Sequence, residues 1–218
     1  MLLVFDLDGT LIDSVRDLAE SASELVISLG GSPLDVESVS RMVGDGAATL
    51  VRRAIAASGA TASADALEQF LAIYGRRLLD HTQPYEGIPE ALAWCRGQGR
   101  MAVLTNKPTR PSLAVLEGLH LDGFFDDVVG GDGPFPRKPD PTALRGLQLA
   151  APGAPTLLVG DSPVDYETAR AAGVAFVYAR YGFGAIRFEA PPDTPYVLDR
   201  PADLPAVIAR FAAASDGG

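Results

Sequence analysis

Near its start the chain reads Leu2-Leu3-Val4-Phe5-Asp6-Leu7-Asp8-Gly9-Thr10-Leu11. The continuous apolar run suits a strand covered on both faces, and the acids that follow it mark the strand's carboxyl end. In a strand, residues i and i+2 point to the same side, so Asp6 and Asp8 can face one pocket. Two like charges this close repel unless a cation or a shared proton intervenes. The pair therefore invites a hard, oxygen-preferring ion such as Mg2+. The same two acids can also simply cap a turn, and the motif alone leaves that open.

Further apolar runs of strand length lie at Met101–Leu104, Asp127–Val129, Thr156–Val159, Ala175–Tyr178 and Tyr196–Leu198. Helix-periodic segments follow or separate most of them, the pattern of a parallel sheet with crossover helices. Three runs end in polar groups: Asp6-Leu7-Asp8, Thr105-Asn106-Lys107, and Asp161-Ser162. Open parallel sheets bind ligands beyond the carboxyl ends of their strands, so these three endings mark one edge as the site. Asp161 offers a third oxygen ligand there.

About ninety residues separate Asp8 from Met101, far more than one crossover helix requires. Val15, Leu18, Ala19, Ala22, Leu25, Val26 and Leu29 recur at helical spacing before Gly30-Gly31, and Leu67, Phe70, Leu71, Tyr74 and Leu78 form a second stripe. Gly46 to Ser58, rich in alanine, predicts another helix between them. A helical domain over residues 15–82 is thus expected, inserted into a core made of 1–14 and 83–218. The stripes are expected to serve packing alone. Gly184–Pro195, with three prolines, predicts a loop, and Ser215–Gly218 a frayed end.

The 218 residues are 47% apolar and 21% charged, which suits a folded chain with a sizeable core. One cysteine, Cys95, excludes a disulfide framework, and two histidines, His81 and His120, exclude a histidine-rich metal centre. These three and Trp94 are expected to be structural. A net charge of −10 argues against nucleic acid as a partner. Met1 to Phe5 has no basic flank, and Asp6 interrupts it too early for a signal peptide. The longest uncharged stretch, Gly146 to Gly160, is broken by Pro152, Gly153 and Pro155, so no membrane span is expected. A soluble protein of the reducing cytoplasm, monomer or homodimer, is the expectation.

The chain has sixteen arginines but only two lysines, Lys107 and Lys138, and both lie beside strand-end motifs. A compact ammonium is not interchangeable with a planar guanidinium where a single phosphoryl oxygen must be held. In Gly160-Asp161-Ser162-Pro163-Val164-Asp165, Ser162 and Asp165 have capping-box spacing with Pro163 at the first helical position. Capping competes with a site role for Asp165 but does not explain Asp161. No Gly-x-Ser-x-Gly elbow and no Walker-type lysine loop is present.

Asp6-Leu7-Asp8-Gly9-Thr10-Leu11, Thr105-Asn106, Lys138-Pro139 and Gly160-Asp161-Ser162-Pro163-Val164-Asp165 together resemble the four ordered motifs of the haloacid dehalogenase superfamily. The likeness spans almost the whole chain. It implies an α/β fold, a Rossmann-like parallel-sheet core with an inserted all-helical cap. Within the superfamily the chain is most similar to bacterial phosphoglycolate phosphatases, through Val43-Gly44-Asp45-Gly46-Ala47, Leu50-Val51-Arg52-Arg53-Ala54, Thr105-Asn106-Lys107-Pro108 and Gly130-Gly131-Asp132.

The resemblance implies Mg2+-dependent hydrolysis of a small phosphorylated metabolite through an aspartyl-phosphate, with 2-phosphoglycolate the first candidate. Asp6 would be the nucleophile and Asp8 the acid and base. Thr105, Asn106 and Lys138 would hold the phosphoryl oxygens. Asp6, the Asp8 main-chain carbonyl and Asp161 would bind Mg2+, with Asp165 acting on a metal-bound water or on Lys138. The second acid, Asp8, points to phosphoryl transfer, since a halide leaving group needs no proton. Gly44-Asp45-Gly46 is a candidate for holding a substrate carboxylate at a helix start, and Arg16, Arg52 and Arg53 are others. Alternatives are a phosphatase for sugar phosphates, nucleotides or pyrophosphate, a phosphosugar mutase, and an inactive binding module.

Overall fold

The computed structural model describes residues 1–186, 188 and 194–216. Six parallel strands form the main sheet: β1 (Leu2–Phe5), β4 (Arg100–Leu104), β5 (Asp127–Val129), β6 (Thr156–Gly160), β7 (Ala175–Ala179) and β8 (Tyr196–Leu198), in the order β5-β4-β1-β6-β7-β8. All six expected strands are present. The sheet reverses its strand order at β1, which pairs with β4 on one side (Phe5 opposite Val103) and β6 on the other (Phe5 opposite Val159). The residues that leave β1, β4 and β6 therefore emerge side by side, at the switch point where doubly wound sheets bind ligands.

Alternate residues feed opposite faces of this sheet. Leu3, Phe5, Met101, Val103, Leu157, Val159 and Val177 pack with α5 (Ile88–Cys95), α6 (Thr109–Gly118) and α9 (Leu204–Asp216). Leu2, Val4, Ala102, Leu104, Leu158, Phe176 and Tyr178 pack with α7 (Thr142–Leu149) and α8 (Pro163–Ala172). Each fully buried leucine or phenylalanine contributes roughly 1.5–3 kcal/mol, so the two layers fix the sheet edge that carries the polar residues.

After β1 the chain turns tightly, with Thr10, Leu11 and Ile12 all donating from their backbone N–H to the Leu7 carbonyl. It then enters β2 (Ile12–Asp13), which pairs antiparallel with β3 (Gln83–Pro84). Between these two short strands lie α1 (Val15–Ser28), α2 (Val36–Ser40), α3 (Ala47–Ser58) and α4 (Ala66–Arg77). The helices share an apolar cluster of their own, including Leu18, Leu25, Val26, Val39, Leu50, Val51, Phe70 and Ile73. Asp17, fully buried at the start of α1, ties the departing chain to the returning one. It accepts from the backbone N–H of His81 (3.0 Å) and Thr82 (2.8 Å) and from the Thr82 hydroxyl (2.6 Å).

Within the expected loop over Gly184–Pro195, Phe183–Ile186 forms a short 3-10 helix, while residues 187 and 189–193 lie outside the described residues. α9 runs to Asp216, two residues into the expected frayed end of Ser215–Gly218, and residues 217–218 lie outside the described residues. Among the described residues no helix is long and apolar enough to cross a membrane. Cys95 is buried, and that burial pushes its thiol up to about 12.

Candidate active site

Asp6, Thr105 and Asp161, the first residues beyond β1, β4 and β6, are all buried at the sheet's carboxyl edge. Lys138 reaches the same place from the loop before α7. Its Nζ lies 2.9 Å from Asp6 Oδ1 and 2.5 Å from Asp165 Oδ1. Burial alone would lower the Lys138 pKa, but the Asp165 and Asp6 carboxylates outweigh it and hold the ammonium above its usual value.

One cation does not balance this group. Carboxylate oxygens of Asp6, Asp161 and Asp165 lie within 4.8 Å of one another, all three residues buried. Burial, followed in weight by the charges of Asp165 and Asp6, pushes the Asp161 carboxyl well above the usual range. The Asp6 carboxyl is pushed up to about 6, chiefly by burial and against the pull of Lys138. Asp165 has both oxygens committed: Oδ1 to Lys138, and Oδ2 to the Ser162 hydroxyl (2.6 Å) and backbone N–H (3.2 Å). The capping box and the lysine contact thus coexist in Asp165. A surplus of negative charge remains on Asp6 and Asp161, and a divalent cation would neutralise it.

The backbone around Asp161 is trimmed to admit its carboxylate. A Cβ on Gly9 would come within 2.1 Å of Asp161 Oδ2, on Gly182 within 2.6 Å, and on Gly184 within 2.7 Å. Gly9 also has φ +91°, where a side chain is strained. The Gly184 N–H donates to Asp161 Oδ2 at 2.7 Å.

Asp8 belongs to a second, separate system. Its Oδ1 accepts from the Ser14 hydroxyl (2.6 Å) and from Lys107 Nζ (2.8 Å). Ser14 stands at the N-cap of α1 without capping it, its hydroxyl being turned to Asp8. Lys107 also donates to the Tyr74 hydroxyl at 2.5 Å, and its Nζ lies 4.6 Å from the centre of that ring. The two lysines of the chain thus each hold one member of the Asp6/Asp8 pair. Ser14 and Tyr74 carried no signal in the sequence beyond a polar residue near a motif and an apolar stripe. Tyr74 does pack in that stripe, but the expectation that the stripes serve packing alone does not hold for it.

A cavity of about 50 Å³, counted as room for the centres of water-sized spheres, opens beside these groups. Asp6, Asp8, Thr105, Asn106 and Lys107 form its polar wall, while Leu18, Val43, Leu50, Phe70 and Leu71 from the helical insertion form its apolar one. Of the expected carboxylate-holding string, Gly44 and Gly46 line the cavity together with Ala47, so the start of α3 opens onto it. Asp45 instead pairs with Arg53 at 2.5 Å. Arg16, which pairs with Glu20, is not among the lining residues, and neither are Arg52 and Arg53.

Asn106 lies between the insertion and the core. Its amide N–H groups donate to the Gly44 and Lys138 carbonyls, both at 3.0 Å, which leaves only the acceptor Oδ1 without a partner. The side chain clasps insertion to core. Thr105 lines the cavity as expected, accepting from the Lys107 N–H at 3.2 Å.

Comparison with known proteins finds a family and close relatives. The profile of a family described as haloacid dehalogenase-like hydrolase matches residues 3–179. Over 207 residues the chain is 41% identical to a phosphoglycolate phosphatase of Pseudomonas fluorescens (strain Pf0-1), spanning 91% of this chain and 76% of that one. It is 43% identical over 192 residues to a phosphoglycolate phosphatase of Rhodospirillum rubrum, spanning 83% and 80%. The crystal structure of a predicted phosphoglycolate phosphatase from Haemophilus somnus 129pt superposes with a TM-score of 0.87 at 29% identity, over 95% of this chain and 97% of that one.

Proposed function

The chain belongs to the haloacid dehalogenase-like hydrolases and is a phosphatase, and from that premise we propose that it hydrolyses 2-phosphoglycolate through a phosphoryl group carried on Asp6. The observation that carries this reading is the unequal division of charge at the sheet edge. Asp6 sits in a buried group with more carboxylates than cations, and Asp8, two residues on, is matched one-to-one with Lys107. Residues 15–82 act as the cap over the cavity.

In the first step an Asp6 oxygen forms a bond to phosphorus while the ester P–O bond breaks, and Asp8, which enters the step protonated on the oxygen that Lys107 does not hold, gives that proton to the departing alkoxide. Water then attacks phosphorus, Asp8 takes its proton, and the P–O bond to Asp6 breaks. Thr105 and Lys138 supply donors to the transferring group, fixed before the reaction by burial. Lys138, anchored by Asp165, also keeps Asp6 oriented. The apolar wall from the cap excludes bulk water from the first step. Asp6, Asp161 and the Asp8 main-chain carbonyl would hold Mg2+, which when bound offsets the charge of the phosphoryl oxygens.

The test is phosphate release from a panel of small phosphate esters in 18O-labelled water, with and without EDTA. 2-Phosphoglycolate is expected to give the highest kcat/KM, activity is expected to vanish with EDTA and return with Mg2+, and released phosphate is expected to carry the label. Transfer of phosphate to a second sugar without label would mean a mutase. Activity indifferent to EDTA would remove the metal from the reading.

A further inference from the structure

The helical insertion and the core meet over the cavity at one charged contact, Lys107 against Tyr74. Lys107 is the one cation among the residues that line the cavity. It is 7% exposed, and its one ion-pair partner among the described residues is Asp8, which has to carry a proton to serve as the acid and then no longer balances it. An ammonium has three N–H donors, and in Lys107 two of them go to Asp8 Oδ1 and the Tyr74 hydroxyl. Across the cavity from the polar wall stand apolar side chains of the insertion, Leu18, Leu50, Phe70 and Leu71.

We propose that Lys107, held by Tyr74, is the subsite for a carboxylate on the alcohol part of the substrate, so that the preferred esters are phosphorylated 2-hydroxy acids. This rests on the phosphatase reading above and adds to it the group that reads the acid. Asp8 Oδ1 is occupied by Ser14 and Lys107, so the other Asp8 oxygen is the one that serves the ester oxygen. The ester oxygen then lies roughly 6–7 Å from Lys107 Nζ, two hydrogen bonds and one carboxyl group away. A carboxylate on the carbon bearing that oxygen spans the gap when extended, reaching about 3.6 Å from the ester oxygen and leaving about 2.8 Å for the bond to Nζ. The start of α3, whose Gly46 and Ala47 also line the cavity, adds a positive partial charge to it.

The experiment compares kcat/KM for 2-phosphoglycolate with that for its isosteric, uncharged amide, phosphoglycolamide, in wild type, Lys107→Met and Tyr74→Phe. The wild-type ratio is expected to exceed about 100, as a site built for a charged group rejects an analogue lacking it. Lys107→Met is expected to bring the ratio near one. Losing the Asp8 contact slows both esters alike and cancels in the ratio. Tyr74→Phe, which keeps the ring and removes only the hydroxyl, is expected to lower the ratio several-fold, and it decides the matter should Lys107→Met not fold. A ratio that either folded variant leaves at the wild-type value overturns the subsite while the phosphatase reading stands. A wild type that cleaves other phosphate esters but does not favour the acid overturns the subsite and phosphoglycolate together, and a wild type that cleaves no ester overturns the whole reading.

Discussion

Asp6→Asn is expected to lower turnover of every phosphate ester by about 10⁴-fold or more and, at the same time, to raise the melting temperature of the metal-free protein at pH 7.5. The first effect follows from chemistry: an amide of the same shape cannot form the bond to phosphorus on which the covalent route depends. The second follows from charge. In the folded chain the Asp6 carboxyl is pushed up to about 6, mainly by burial. A carboxyl raised in this way favours folding while it holds its proton, below its ordinary value near 4. That stability is lost as pH climbs through about 6. At pH 7.5 the ionised Asp6 therefore works against the fold, and asparagine imitates its neutral form. Thermal unfolding in EDTA checks the sign: a gain of several degrees at pH 7.5 that shrinks toward zero near pH 4.5. Residual turnover within tenfold of wild type would remove Asp6 from the nucleophile's place. A lower melting temperature at pH 7.5 would mean that the contact with Lys138 outweighs the crowding of acids.

How far the sequence carried depends on how local each signal is. The six strands were legible because each is a short continuous apolar run closed by turn residues, and burial on both faces demands that pattern. α1, α3 and α4 were legible from their stripes, whereas α2, with five residues, is too short to show a period. The ribbon of Ile12–Asp13 with Gln83–Pro84 joins residues some seventy positions apart, and two-residue strands leave no pattern to read. At the site, Asp6, Thr105 and Asp161 were marked by strand endings. Ser14, Tyr74 and the pairing of Lys107 with Asp8 were not, since each is made by tertiary approach of segments that carry no common motif. For the same reason the clasp made by Asn106 was not legible: Gly44 and Lys138 bring it carbonyls from two distant parts of the chain. The scarcity of lysine was the most informative compositional fact, because both lysines proved to hold a carboxylate of the Asp6/Asp8 pair.

Asp8→Asn, two residues along the same strand end, is expected to act oppositely on the fold and differently on the reaction. Asp8 is matched to one ammonium, and its removal leaves Lys107, 4% exposed at its side chain, without a carboxylate partner. Breaking a buried pair by removing one member is destabilising, so the melting temperature should fall by several degrees at pH 7.5, where Asp6→Asn raises it. The asparagine carbonyl still accepts from Ser14 and Lys107, so the site keeps its shape while losing its acid and base. Alkyl phosphates, whose alkoxide needs a proton to leave, should lose about 10²–10⁴ in turnover. An aryl ester such as p-nitrophenyl phosphate leaves without that help, so its first step should be nearly spared and the water attack should limit the rate. Rapid mixing is then expected to show a burst of one p-nitrophenolate per enzyme followed by slow turnover, with acid quench trapping phosphate on the peptide that contains Asp6. A variant with wild-type steady-state rates would show that another group moves the proton. Two isosteric changes 2 residues apart, one raising and one lowering stability, distinguish a carboxylate crowded by others from a carboxylate paired with a cation.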